Sequence, residues 1–216
     1  MTKTADEGRR SIWRQAYRDV QRPKRFIVAC LLGILFFLPY PTNLNAYRQC
    51  PPEDGLPVVG LTEKYLRYTG TVVQIRLPLI LADKIGMVQL LYTGISATIA
   101  THGLKRLVDR VEVQHTRLGE RPSKPNSHQN MPSGHSSMAS CAAYFVSRRY
   151  GFLHALYLLP ILLLTMYARV ALHDHTVSAV IVGTLVGFLA AAVFTSRRRR
   201  KAAPAEGTDA APEGAG

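Results

Sequence analysis

"TVSAVIVGTLVGFLAAAVFT", residues 176–195, is a run of twenty residues without Asp, Glu, Lys or Arg. An α-helix needs about 20 such residues to cross the hydrocarbon of a bilayer. Moving back along the chain, two more runs lack those four residue types: residues 152–168 (FLHALYLLPILLLTMYA) and 85–104 (IGMVQLLYTGISATIATHGL). A fourth apolar run starts at Phe26 (FIVACLLGILFFLPY), and a fifth, residues 131–147 (MPSGHSSMASCAAYFVS), is more polar at its start. The chain has 216 residues, is 47% hydrophobic, and carries 27 Lys plus Arg against 14 Asp plus Glu. A soluble protein could share these averages, but the distribution excludes one. Charge gathers at the ends and in loops, and the apolar runs have almost none.

The run at Phe26 does not read as a cleaved signal. It follows 25 residues bearing eight Lys or Arg, and Pro39 and Pro41 break it with no clear small-residue cleavage site. Residues 69–82 (TGTVVQIRLPLILA) are the weakest candidate, because Arg76 lies in their middle. Charge decides the matter. The N-terminal segment and the SRRRRK flank after residue 195 both read as cytoplasmic, so the number of spans must be even. Five other candidates then require residues 69–82 to span as well, starting as early as Leu66. The sequence therefore predicts an all-α polytopic membrane protein with six transmembrane helices. Its parts are a basic cytoplasmic segment (1–25), a six-span domain (26–196) and a basic, then disordered, cytoplasmic tail (197–216). The basic excess on the flanks of spans reads as orientation toward a bilayer, with no nucleic-acid partner and no inferable protein partner. Trp13 and Arg14 read as part of an amphipathic stretch lying on anionic lipid.

In this map the 41–68 loop, the 109–134 loop and the turn around His173–His175 lie on the outer side. The 109–134 loop holds Arg110, Arg117, Arg121 and Lys124, against the positive-inside trend. Charge of that sign on that side points to a ligand. Three pieces read together say which kind: "GERPSK" at 119–124, "PSGH" at 132–135 and "ARVALHDH" at 168–175. Guanidinium groups grip phosphate oxygens in pairs. A Gly-containing turn at a helix start aims free N–H groups at an anion. Two histidines can divide a phosphoryl transfer, one attacking phosphorus and the other protonating the leaving oxygen. Cationic side chains can stabilise the transition-state charge without a metal. No metal-ligand spacing is present. Cys30 and Cys141 read as buried apolar residues and Cys50 as a lone loop residue, with no disulfide framework.

The three pieces, in this order, resemble the type 2 phosphatidic acid phosphatase (PAP2) family, which shares its helical core with vanadium haloperoxidases. The resemblance covers roughly residues 85–195. Arg121–Pro122 matches the first motif, Pro132–His135 the second in full, and Arg169-x5-His175 the third. It implies that His175 is the nucleophile forming a phosphohistidine and that His135 is the general acid. It also implies that Arg121, Ser133, Gly134 and Arg169 hold the phosphate, without cofactor or metal. There are three departures. Gln114 stands where the first motif has Lys; Lys105, at the end of an apolar run, is assigned that role across an insertion, with Arg117 as competitor. Ala168 replaces a Ser. Ala179 replaces the Asp that orients the nucleophile, and Ser178, one turn on from His175, is a weak substitute; Asp174 would point to a different helix face. Outside the pattern, His102, His115, His128 and His173 read as structural or rim residues. Arg76 reads equally as a functional buried charge or as one tolerated near a helix irregularity.

The surroundings "RLGERPSK…NMPSGHSSMAS" are similar to the lipid A phosphatase branch of the family. The implied enzyme is a metal-independent lipid phosphatase of a bacterial inner membrane, with both termini cytoplasmic and the site facing the periplasm. Lipid A is the favoured substrate, at its 1-position before its 4′-position because the anomeric phosphate has a good leaving group. Undecaprenyl diphosphate hydrolysis and a catalytically silent lipid-binding protein that has lost its relay at Ala179 are the alternatives.

Overall fold

Helices occupy all six apolar segments in the computed structural model, which describes residues 2–40 and 42–198. After α1 (Thr2–Arg18), α2 (Lys24–Phe37) covers the first run and stops short of Pro39; Pro41 lies outside the described residues. Following the short α3 (Leu44–Gln49), the weakest candidate is longer than expected. Here α4 (Pro57–Leu61), a π-helical turn (Thr62–Leu66) and α5 (Arg67–Ile80) follow one another without a break. The remaining runs form α6 (Lys84–Val108), α7 (Gly134–Tyr150), α8 (Ala155–Ala171, led by a 3-10 turn at Phe152–His154) and α9 (Val177–Phe194). Among the described residues two helical stretches, Phe152–Ala171 and Val177–Phe194, are each long and apolar enough to cross a membrane. The others are shorter or more polar, so the fold is mostly helical and the two apolar helices do not by themselves establish the expected six crossings. The tail from residue 199 onward, expected to be disordered, lies outside the described residues.

One small element departs from the all-α expectation. In the 109–134 loop, β1 (Glu112–Val113) pairs antiparallel with β2 (Thr116–Arg117). Gln114 and His115 make the two-residue turn between them with φ of 48° and 63°, the left-handed backbone that such tight hairpins use.

The core is centred on α7. Phe145 and Val146 on α7, Leu158 on α8 and Ala191 on α9 are almost fully buried together. The approach of α9 to α7 depends on two glycines one turn apart. A Cβ at Gly183 would strike the backbone of Ser133, and one at Gly187 would strike the Ser137 carbonyl and Ser140 Oγ. Small residues four apart let two helices approach this closely in a membrane. The outward faces are apolar: Leu32, Leu35 and Phe36 on α2, Ile99 on α6, and Leu156 and Leu163 on α8 are all exposed. An exterior of this kind is what lipid requires and what water penalises. The cysteines are free, Cys30 and Cys141 buried and Cys50 exposed.

The N-terminal segment, expected to lie on lipid, packs against α6. Trp13 meets Tyr92 of α6 edge-on at 5.5 Å, and the buried Ala16 carbonyl accepts a hydrogen bond from Gln89 Nε2 at 2.8 Å. At the same end of the bundle Arg149 is buried against Asp83. Its Nε and Nη2 each donate to that carboxylate at 2.6 Å, while Nη1 donates to Gln89 Oε1 at 2.9 Å. Arg76 is exposed on α5 and takes no part in any of this.

Candidate active site

The site is built at the opposite end, where α7 and α9 begin. Ser133 is fully buried and caps α7: its Oγ accepts from the Ser136 amide at 3.5 Å and from Ser136 Oγ at 3.1 Å. Its own amide donates to the Ala179 carbonyl at 2.9 Å, which pins the PSGH turn to the first turn of α9. Gly134 and His135 are the first two residues of α7, so their amides have no carbonyl to bond within the helix. The space where a Gly134 Cβ would stand is open. The turn thus presents free N–H groups at the positive end of a helix dipole.

His175 is 2% exposed and lies in the turn between α8 and α9. Its Nδ1 donates to the Asn130 carbonyl at 2.8 Å. A carbonyl only accepts, so the hydrogen is on Nδ1 and the lone pair is on Nε2. Burial, reinforced by the charges of Arg121, Lys105 and Arg169, holds the imidazole well below its usual basicity, so it is neutral.

Asn130 is what fixes this histidine. Its side chain accepts from the Thr176 amide at 3.0 Å and donates to the Leu118 carbonyl at 3.2 Å and to Thr176 Oγ1 at 3.3 Å; its amide donates to the Gly119 carbonyl at 2.9 Å. The residue is buried, and it ties the 109–134 loop to the turn that carries His175. Ala179 itself supplies only backbone. Ser178, the expected substitute, does not contact the ring, and neither does Asp174. Ser178 Oγ lies 3.1 Å from Thr176 Oγ1 and 3.4 Å from Thr42 Oγ1, while Asp174 pairs with Arg169 and reaches Arg121 Nη1 at 3.7 Å.

The cations surround the same place. Arg169 is 5% exposed; Nη1 pairs with Glu63, Nη2 pairs with Asp174, and Nε is buried without a partner. Arg121 Nε and Arg67 Nε are also buried without partners. Lys105 Nζ donates to the Gln129 carbonyl at 2.8 Å, and Arg121 Nη2 reaches Gln129 Oε1 at 3.4 Å, so one residue joins the two. Burial and the neighbouring Arg121 pull the Lys105 ammonium, one residue beyond its apolar run, down to about 8. Arg117, its competitor, donates to the Ser127 carbonyl at 2.8 Å within the loop. His135 faces Tyr68 edge-on at 6.5 Å and feels the charges of Arg169, Arg67, Glu63 and Asp174. Every residue singled out in the motifs is therefore gathered at one end of α7.

Four contributors were not singled out from sequence: Glu63, Arg67, Asn130 and Gln129. Glu63 and Arg67 form an ion pair four residues apart around the π-helical turn. A charged pair at helical spacing directly before an apolar span was the signal for them. Asn130 and Gln129 stand just ahead of PSGH, and nothing in their identity marks them. His128 binds Asp109 at the rim through Nδ1, at 2.9 Å.

Residues 86–202 match the family model of the PAP2 superfamily. The lipid A 1-phosphatase of Helicobacter pylori strain 26695 is 39% identical over 184 residues, which is 82% of this chain and 92% of that protein. The enzyme of the same name from strain J99 is 39% identical over 181 residues, 81% of this chain and 90% of that protein. The lipid A 4′-phosphatase of strain J99 is 30% identical over 185 residues, 84% of this chain and 87% of that protein. No solved structure matches the chain. With its three motifs converging at one end of the bundle and its relatives covered nearly end to end, the chain belongs to the PAP2 superfamily.

Proposed function

We propose that this protein is a lipid phosphatase of a bacterial inner membrane that removes the 1-phosphate of lipid A. The observation that carries the substrate is the 39% identity to lipid A 1-phosphatases across most of both chains, against 30% to the 4′-enzyme. In this reading six helices cross the membrane, both termini are cytoplasmic, and the site opens to the periplasm. The basic segments before α2 and after α9 support that orientation, and the Arg-rich outer loop, which runs against the positive-inside trend, is accounted for by the phosphate it faces.

The arrangement of the site supports the following chemistry. The phosphate sits at the start of α7, on the amides of Gly134 and His135, with Lys105, Arg121 and Arg169 around it. Its oxygens supply partners for the orphan guanidinium Nε groups and neutralise the cluster. His175 Nε2 attacks phosphorus; an N–P bond forms and the bond from phosphorus to the sugar oxygen breaks. His135, whose protonated form the bound dianion favours, gives its proton to the leaving oxygen. Water then attacks the phosphohistidine with His135 as base, releasing inorganic phosphate and restoring both imidazoles. Asn130 is the positioning residue: its backbone carbonyl takes the place of the family's missing carboxylate, keeping the proton on Nδ1. A carbonyl stabilises a developing imidazolium less than a carboxylate does, and the surrounding cations oppose one. This suits a nucleophile that must stay neutral until it attacks.

The test is phosphate release from lipid A, undecaprenyl diphosphate and phosphatidic acid, measured side by side with purified protein and its H175A variant. Dominant release from lipid A that requires His175, with a product lacking the 1-phosphate by mass spectrometry, is expected. Dominant release from undecaprenyl diphosphate would replace the substrate, and no His175-dependent release from any of the three would overturn the reading.

A further inference from the structure

A second cavity, of about 690 Å³, opens at the end of the bundle away from the phosphate site. It is formed by the start of α2, the last two turns of α7, the first turns of α8, Phe188 of α9 and residues 197–198 beyond α9. Its wall is aromatic. Phe26 stacks on Tyr144 with ring centroids 5.2 Å apart and meets Phe188 at 6.0 Å. Its mouth carries Arg148, Arg197 and Arg198, and no carboxylate lines it. Among the described residues none of these three pairs with an acid, and nearby Asp83 is committed to Arg149. Two donors on its wall, Ser147 Oγ and Arg148 Nε, are buried without a hydrogen-bond partner.

Buried donors without partners are costly, and an anionic oxygen satisfies two of them at once. The apolar wall beneath requires a hydrocarbon occupant. Together they describe an amphiphile with an anionic head and an acyl tail. We propose that this cavity binds an anionic phospholipid. One acyl chain lies against Phe26 and Phe188, and the phosphate sits on Ser147, Arg148 and Arg197. Ser147 lies thirteen residues along α7 from Gly134, about 20 Å at the rise of an α-helix. The occupant is therefore distinct from the substrate and sits in the opposite head-group layer when the bundle spans a membrane. A basic mouth at that layer is where anionic lipids are drawn. The proposal rests on the membrane reading of α8 and α9 and on no step of the phosphatase chemistry.

The experiment is thermal unfolding of the full chain in detergent micelles, to which phosphatidylglycerol, phosphatidylcholine or soluble glycerol phosphate is added at equal concentration. Phosphatidylglycerol should raise Tm by several degrees, and the other two should not. The double variant Arg148→Gln, Arg197→Gln should lose this shift and keep wild-type phosphate release in lipid-free micelles, which also shows that it folds. Leu159→Trp, which narrows the cavity with its charges intact, should lose the shift as well. Equal shifts from phosphatidylglycerol and phosphatidylcholine would overturn the proposal. So would a double variant that keeps the shift, or glycerol phosphate reproducing it without a tail.

Discussion

Arg149 and Arg169 lie at opposite ends of the bundle, and each is 5% exposed. Their surroundings differ in how completely the guanidinium donors are used. All three nitrogens of Arg149 donate to protein, to Asp83, Gln89 and Ser196, in a network that closes on itself. Arg169 has two carboxylate partners, drawn from distant segments at Glu63 and Asp174, and an Nε with none. Burial alone does not mark a functional arginine. Incomplete satisfaction is the better pointer, because a buried guanidinium N–H without a protein partner leaves a donor for a ligand oxygen.

The comparison breaks most visibly through deletion. Arg149→Ala leaves Asp83 buried and uncompensated, a loss of about 3–5 kcal/mol. A large fall in Tm is expected, with activity lost only as the protein unfolds; a Tm near wild type would show that the closed network is dispensable. Arg169→Ala should do the reverse, lowering kcat about 10²- to 10³-fold with a small change in Tm, as removal of one transition-state donor does. Steady-state phosphate release and thermal unfolding on the same preparation separate the two cases.

Asn130→Ala removes the three side-chain bonds that hold the Asn130 carbonyl against His175, each contributing about 0.5–1.5 kcal/mol. A fall in kcat of about tenfold or more, with KM little changed, is expected. A change in KM alone would mean that Asn130 shapes the loop and does not orient the nucleophile. The pH profile gives a gentler test. Lys105 is lowered to about 8, so it is charged below about pH 8 and loses its charge as pH rises through that value. The free enzyme's kcat/KM should therefore fall above about pH 8. Lys105→Arg, which keeps its charge throughout, should flatten that limb. The smallest effect is expected from Glu63→Gln. Glu63 is partly exposed and competes with phosphate for Arg169, so KM should drop by about two- to fivefold, the scale of a partly exposed ion pair.

The sequence was most legible where one physical demand acts alone. Freedom from charge over about twenty residues marked the helices, and three short motifs marked residues that the fold brings together at one end of α7. The helix through Arg67–Ile80 was visible only through the parity of charged flanks, since Arg76 and Pro78 mask its hydropathy. Its start at Pro57 was hidden because the π-helical turn brings Glu63 and Arg67 into the site from a stretch that reads as loop. The orientation of His175 was hidden for a different reason. Ala179 removes the expected carboxylate, and its replacement is a main-chain carbonyl, which leaves no trace in residue identity. The same holds for Gly183 and Gly187, whose role appears only once α7 is seen against them.

The proposed mechanism requires His175 to carry the phosphoryl group. The most direct measurement is to mix the enzyme with lipid A labelled at its 1-phosphate, quench in alkali, which preserves phosphohistidine, and locate the label by peptide mass spectrometry. A transient, acid-labile label on His175, absent from His175→Ala, is expected. Turnover of wild type with no label at any time point, or a label on another residue, would contradict it.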